Sequence, residues 1–178
     1  MIFVVTGSHS VGFDRLVMLA DRAGARMDLD AVAQIGASRY VPKHLSWFRF
    51  CSEAEYYRHL EAASQVITHG GYSVVEALDR GKPVVAVPRR RDAGEALDDH
   101  QVAFVEWLRA RNLVEVAETE EDLARALGAG GPPRPRGTIA SRRQELQAFL
   151  QEAVDALSRG RAGDRIHDAP SARGGAIG

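Results

Sequence analysis

One cysteine, Cys51, stands alone in 178 residues, so no intramolecular disulfide can form, and no Cys/His spacing around it makes a zinc site. A reducing compartment is the expectation. Aromatic residues are scarce at 7%, and no apolar run approaches the roughly 18 residues of a membrane span. Any membrane contact is therefore expected to be peripheral, through a partner. An excess of positive charge is also missing: Lys plus Arg number 23 against 24 for Asp plus Glu, a formal net charge of -1. That removes the basic field on which most nucleic-acid binders rely. The opening Met1-Ile-Phe-Val-Val-Thr6 has no cationic stretch ahead of its short apolar run and reads as a strand entering a fold, not as a targeting peptide.

What the chain does hold is enough apolar material for a core, 45% hydrophobic with 26% charged residues, and a length suited to one domain. Short β-branched runs (Ile2 to Thr6, Ala31 to Gly36, Trp47 to Phe50, Gln65 to His69, Val84 to Pro88, Leu113 to Val116) alternate with helical patterns. These lie at Phe13 to Ala23, Glu53 to Ala63, Ser73 to Arg80, Asp99 to Arg111 and Glu120 to Leu127. The alternation predicts an α/β fold built on a doubly wound parallel sheet over residues 1–127. Ligands of such sheets bind at the carboxyl ends of the strands. Residues 128–137, rich in Gly and Pro, read as a linker. Residues 138–158 return to helical spacing as a C-terminal amphipathic helix with Leu146, Phe149, Leu150, Val154 and Leu157 on one face. Residues 159–178 carry too little apolar bulk to offset the entropy of ordering and read as a disordered tail. Charge divides the same way, with net +3 over residues 128–178 and net -4 over 1–127.

Three loops at strand ends carry candidate chemistry. Thr6-Gly7-Ser8-His9-Ser10-Val11-Gly12 leaves the first strand and opens a helix, where free amides favour phosphate. It is neither GxGxxG nor a Walker loop, and a tight turn with nothing bound explains it equally. Thr68-His69-Gly70-Gly71-Tyr72-Ser73 leads to Glu76 one turn into a helix. A carboxylate there can accept from vicinal ribose hydroxyls while the Gly-Gly amides and Ser73 face phosphate. Capping and the helix dipole offer a competing account of Ser73 and Glu76. The third stretch runs from Arg89-Arg90-Arg91 through Gly94-Glu95 to Asp99-His100-Gln101. Arginine and polar groups there can meet phosphate and sugar hydroxyls, although three arginines also suit a solvated face. An Asp28-Leu29-Asp30 string offers the ligands of a metal-bridged diphosphate, a minor alternative.

Taken in order, several segments resemble glycosyltransferase family 28. They are Gly7-Ser8-His9 with Phe13-Asp14-Arg15-Leu16-Val17, Gln34-Ile35-Gly36, Tyr40 and Pro42. Further along come Ile67-Thr68-His69-Gly70-Gly71 with Glu76-Ala77-Leu78, Gly81-Lys82-Pro83, Val87-Pro88-Arg89, and Gly94-Glu95 with Asp99-His100-Gln101. The resemblance covers roughly residues 1–127 and is to the donor-binding C-terminal half of the GT-B fold when that half is a separate chain. Such halves include the catalytic subunit of the two-part UDP-N-acetylglucosamine transferase and the PssE-like subunits of exopolysaccharide synthesis; the Val-Pro-Arg to Asp-His-Gln run is nearer the latter.

The resemblance implies a UDP-sugar as substrate and no metal or other cofactor. Glu76 would hold the ribose, Gly70, Gly71 and Ser73 would face the diphosphate, and His100 with Gln101 would read sugar hydroxyls. Gly7 and Ser8 would close on the diphosphate with Arg89 nearby. His69 would bond the loop at its strand end, and His9 is the candidate for contact with phosphate or acceptor in catalysis. A cytoplasmic subunit is implied, peripheral at the inner face of the membrane, whose acceptor-binding partner is membrane-associated and docks through 138–158. That helix could also join a second copy in a homo-oligomer, or pack back on its own sheet. One departure stands out: seven positions separate His69 from Glu76 where the family usually has eight, and Tyr72-Ser73 replaces a small-Gly-Ser/Thr stretch. A non-catalytic UDP-sugar-binding or enhancer subunit is the alternative that this shortening raises.

Overall fold

The computed structural model describes residues 1–128, together with Ala148 and Gln151, both helical. The chain divides after Ser141 into two compact units. The expected linker beyond Gly128, the remainder of the 138–158 helix and the tail from 159 lie outside the described residues.

Residues 1–128 hold six strands and five helices, alternating except where β3 follows β2 directly: β1 (Ile2–Val5), α1 (Asp14–Met27), β2 (Ala31–Gln34), β3 (Ser46–Phe48), α2 (Glu53–Ala62), β4 (Gln65–Thr68), α3 (Tyr72–Asp79), β5 (Val84–Ala86), α4 (His100–Arg109), β6 (Glu115–Val116) and α5 (Glu120–Gly128). The strands form one sheet in the order β3-β2-β1-β4-β5-β6, every neighbouring pair parallel. This is the doubly wound arrangement predicted from the alternating pattern. Val5 pairs with Gln34 on one side and with Thr68 on the other, so the loops after β1, β2 and β4 leave the sheet side by side. Successive strands are added outward on one side from β1 to β3 and on the other from β4 to β6, and this switch between β1 and β4 opens a crevice at their carboxyl ends.

Burial on both faces explains why the strands read as continuous apolar runs instead of alternating ones. Phe3, Val4 and Val5 are all buried, as are Val84 to Val87. Leu16, Val17 and Ala20 of α1 and Leu123 of α5 pack with Val4, Ala33, Ile67 and Val85. On the other face Phe3 stacks against His59 and meets Tyr56 at a tilt, both on α2. Helix α1 runs four residues past the expected Ala23, through Gly24, and ends on Asp28 in a left-handed conformation. Gly24 is kept there by packing, since a Cβ would stand 2.5 Å from Leu45 Cδ2. Asp28 and Asp30 therefore lie at the amino edge of the sheet, where the Asp30 carbonyl accepts from the Ile2 amide at 2.7 Å. The Asp-Leu-Asp string faces away from the crevice.

Candidate functional site at the carboxyl edge of the sheet

Two hollows open at the carboxyl edge, and His69 lines both. The first, about 440 Å³, is bordered by Gly7, Ser8, Gln34, Cys51, Tyr56, Ser73 and Glu76. The second, about 510 Å³, is bordered by His9, Arg89, Gly94 to Asp98, His100 and Gln101. Expected residues from all three loops thus line one crevice, divided by a single imidazole, whereas Gly70 and Gly71 border neither hollow.

His69 is wedged between glycines. A Cβ on Gly7, whose φ is +81°, would lie 2.8 Å from the ring, and one on Gly71 would lie 2.3 Å from it. Those two glycines are required by close approach as much as by any ligand. Burial, and then the charge of Arg89, lower the His69 pKa to about 4, against an opposing hydrogen bond to the Val5 carbonyl. The ring is accordingly neutral at physiological pH. Gly70 serves a different contact: its Cβ would meet Val105 Cγ2 at 2.8 Å and the Gln101 carbonyl at 2.9 Å, so glycine lets β4 and α4 approach.

Ser73 does not present its hydroxyl to the crevice as expected. It is 6% exposed, and its Oγ lies 2.6 Å from Thr68 Oγ1. Thr68 gives its one hydroxyl proton to the Val5 carbonyl at 3.0 Å. Both hydroxyls also approach His69 Nδ1, at 3.3 and 3.4 Å, so Ser73 belongs to a network with Thr68 and His69 beneath the loop.

Arg89 also departs from expectation. It is 3% exposed and donates to the carbonyls of Gly12 (2.9 Å), Glu95 (3.2 Å) and Thr6 (3.2 Å). Its guanidinium lies over the Phe13 ring at 4.5 Å. Thr6 and Gly12 are the two ends of the first loop, so Arg89 straps that loop from below and exposes no fork to a phosphate. Gln101 supports the same region, its Oε1 accepting from the Arg89 amide at 3.3 Å. Glu95 binds Arg15 in bidentate fashion at 2.8 and 2.9 Å.

His9 is exposed and accepts from the Val11 amide through Nδ1 at 3.0 Å. Its neutral form then carries the proton on Nε2 and offers a donor, not a base, to the second hollow. His100 is exposed and its Nδ1 contacts the Asp98 carboxylate.

Glu76 stands where its helical spacing puts it, in the wall of the first hollow. Its carboxylate accepts from Tyr56 (3.0 Å) and Tyr57 (2.8 Å), both on α2. Burial, followed by the charge of Glu76, raises the Tyr56 pKa, while the hydrogen bond to Glu76 raises that of Tyr57. A carboxylate has about four acceptor positions, so two remain for a diol. The tyrosines were not singled out in the sequence, because only the packing of α2 beside α3 brings them to Glu76.

Helices α1 and α3 point their amino ends at the crevice without a side-chain cap, whereas at the start of α4 the His100 amide donates to the Asp98 carboxylate at 3.3 Å. Helix α2, by contrast, has a full capping box from Ser52 and Glu55. Uncapped amides at a helix start are anion sites by charge and geometry. Val11, Phe50, Tyr72 and Leu97 stand exposed at the mouth, on the segments that follow β1, β3, β4 and β5.

The model of the glycosyltransferase family 28 C-terminal domain matches residues 1–157. The chain belongs to that family. The fold of this family 28 domain is that of one half of a GT-B glycosyltransferase. It is similar to MurG of Acinetobacter baumannii, with a TM-score of 0.52 and 22% identity over 70% of this chain and 39% of that one. It is also similar to CalG4, the calicheamicin glycosyltransferase, with a TM-score of 0.51 and 18% identity over 85% of this chain and 43% of that one. The chain thus spans about two fifths of the length of either protein. No curated protein matches it. No described helix of the domain is long and apolar enough to cross a membrane, and among the described residues no cluster of three His, Cys, Asp or Glu side chains is placed to hold a metal ion.

Proposed function

We propose that this family 28 domain is the donor-binding subunit of a two-component glycosyltransferase that moves a sugar from a UDP-sugar to a lipid-linked acceptor in polysaccharide synthesis. The observation that supports this reading best is the pair of hollows meeting at His69, one walled by Glu76 and the other by His100 and Gln101. The nucleoside lies in the first hollow with its ribose hydroxyls on Glu76. The diphosphate crosses His69 and meets the amides of Gly7, Ser8, Gly70 and Gly71 and the free starts of α1 and α3. The sugar occupies the second hollow beside His100 and Gln101. As the glycosidic bond breaks, negative charge grows on the leaving diphosphate, and donors already fixed in place stabilise it without reorganisation. His9 donates through Nε2 to that charge, and the base that activates the acceptor comes from the partner.

The partner is a membrane-associated, acceptor-binding subunit that keeps the domain peripheral at the cytoplasmic face of the membrane. It covers the apolar side chains at the crevice mouth, whose exposure on a lone domain marks an interaction surface. The apolar stripe of residues 138–158 is its second point of contact. The test is titration of the purified chain with UDP, followed by a transfer assay with and without the membrane protein that co-purifies with it. UDP binding by the chain alone, with transfer only in the pair, is the expected result. UDP binding without transfer in the pair would leave the shortened His69 to Glu76 loop as the mark of a non-catalytic enhancer subunit, and absence of UDP binding would end the reading.

A further inference from the structure

We propose that the sheet edge formed by β3 and the loop before it docks directly on a membrane surface rich in anionic phospholipid, a contact made by this chain itself and separate from any its partner supplies. From Ala31 to Ser52 the sequence holds Arg39, Lys43 and Arg49 and no Asp or Glu. Residues 1–127 are net -4 in all, so with +3 in this segment the rest of them carry -7. The carboxylates beside the loop are turned inward on its backbone. Asp14 accepts from the Arg39 and Tyr40 amides at 2.7 and 3.1 Å, and the buried Asp21 accepts from the Lys43 and His44 amides at 3.0 and 2.7 Å. Ser38, Pro42 and Leu45 are buried beneath it, so the loop has a fixed shape while Arg39, Val41 and Lys43 stand exposed. Among the described residues Arg26, Arg58, Arg80, Arg90, Arg109 and Arg125 all pair with carboxylates, whereas the three cations of this segment have no such partner.

Apolar groups stand among these cations. Val41 is 41% exposed and Trp47 42%, on the last strand of the sheet, where no further strand covers them. Adjacent strand residues point to opposite faces. Phe48 stacks on His59 of α2, with ring centres 5.0 Å apart, so Trp47 lies on the face that α1 covers, the side on which Asp14 and Asp21 hold the loop. Arg22 of α1 is exposed and its charge acts on Tyr40 of that loop, while the Arg49 guanidinium lies 6.0 Å from the centre of the Trp47 ring. An indole and an aliphatic group ringed by cations suit the boundary between headgroups and acyl chains. Trp settles at headgroup level, and each Arg or Lys near an anionic leaflet gains from its surface potential. A flat membrane meets this edge alone, whereas a long nucleic acid would also run along the acidic remainder of the domain and has no apolar layer for Val41. Phe50, exposed at the crevice mouth, ends the same segment, so an edge resting on lipid brings the mouth close to the membrane.

Co-sedimentation of the full chain with vesicles of three parts phosphatidylcholine to one of phosphatidylglycerol tests the proposal. The wild type is expected to bind these vesicles, to ignore vesicles of phosphatidylcholine alone, and to be released as salt rises to about 0.5 M. Residues 128–178 are also net basic, so variants separate the two regions. Arg39→Glu with Lys43→Glu, and Trp47→Ser alone, are each expected to weaken vesicle binding about tenfold or more without changing the melting temperature. A second measurement stands even if these variants fail to fold. The chain has two tryptophans, and in Trp107→Phe the emission of Trp47 is expected to shift to the blue on anionic vesicles and to be quenched by lipid with brominated chains. Undiminished binding by the folded charge-reversed variant, equal binding to uncharged vesicles, or Trp47 emission unaltered by lipid would overturn the proposal and leave the UDP-sugar reading untouched. Binding of polyuridylate in place of vesicles, lost in the same variants, would overturn it in favour of a nucleic-acid surface.

Discussion

Glu76 and His69 show how much a single side chain can carry. Glu76 is held by two tyrosine hydroxyls before any ligand arrives, so its orientation is set in advance and binding need not order it. Glu76→Ala is expected to weaken UDP binding ten- to a hundredfold, as hydrogen bonds to a charged group are worth about 1.5 to 3 kcal/mol, read by calorimetry. In the same variant the raised pKa of Tyr57 is expected to fall towards its ordinary value in an ultraviolet titration, since the hydrogen bond to Glu76 is its leading cause. His69 makes a second prediction through pH. Its folded pKa is about 4 against an ordinary value of 6.5, so below pH 6.5 the unfolded chain takes up a proton that the folded one refuses. The stabilisation is complete above about pH 6.5 and drains away as pH falls towards 4, by up to about 3 kcal/mol. Denaturant unfolding at pH 7 and pH 5 is expected to show that loss, and His69→Asn is expected to flatten it. The Gly70-Gly71 pair and the position of Glu76 were legible in the sequence. The tyrosine pair was not, because nothing local to α2 says which helix lies beside it.

Three consecutive arginines, alike in the sequence, diverge once the elements pack. Arg89 lies under the β1–α1 loop with three carbonyls on its guanidinium, whereas Arg90 is half-buried and paired with Glu118 at 2.7 Å. Arg89→Met is expected to lower stability by about 3 kcal/mol or more, because buried carbonyls at Thr6, Gly12 and Glu95 lose their donor. It is expected to weaken UDP binding as well, as Gly7 and Ser8 lose their strap. Arg90→Ala is expected to change stability by less than about 1 kcal/mol, as exposed pairs do. Denaturation midpoints of the two variants check the contrast. The uncapped amino ends of α1 and α3 belong to this scale too. A helix start beside a strand end is visible in the sequence, while the lack of a capping side chain emerges only from the folded loop.

At the scale of the molecule, the domain spans two fifths of the GT-B enzymes it resembles, and the partner proposed above would cover the apolar mouth of its crevice. The sequence pattern of residues 138–158, with Phe149 and Leu150 on its apolar stripe, offers a handle for that partner. Phe149→Asp with Leu150→Asp is expected to abolish co-purification of the partner and transfer, while UDP affinity stays within about twofold of wild type. Burial of each such side chain in a contact is worth about 1.5 to 3 kcal/mol, enough for two charges to dissolve it. Loss of UDP binding together with cooperative melting would instead place the helix in the core of its own domain.

The alternation of apolar runs and helical periods was sufficient by itself for the parallel α/β sheet, because strands buried on both faces must be apolar throughout and crossover helices must be amphipathic. The glycines at 7, 70 and 71 were legible for a similar reason: few other residues permit so close a backbone approach. Tertiary structure alone decided which polar groups are spent and which are free. Arg89 looks like a ligand for phosphate in one dimension, yet its guanidinium is spent on three carbonyls, and Ser73, expected at the diphosphate, keeps its hydroxyl 2.6 Å from that of Thr68. Hydrogen-bond satisfaction depends on contacts between residues far apart in the chain, such as Arg89 with Thr6, and no local pattern encodes it.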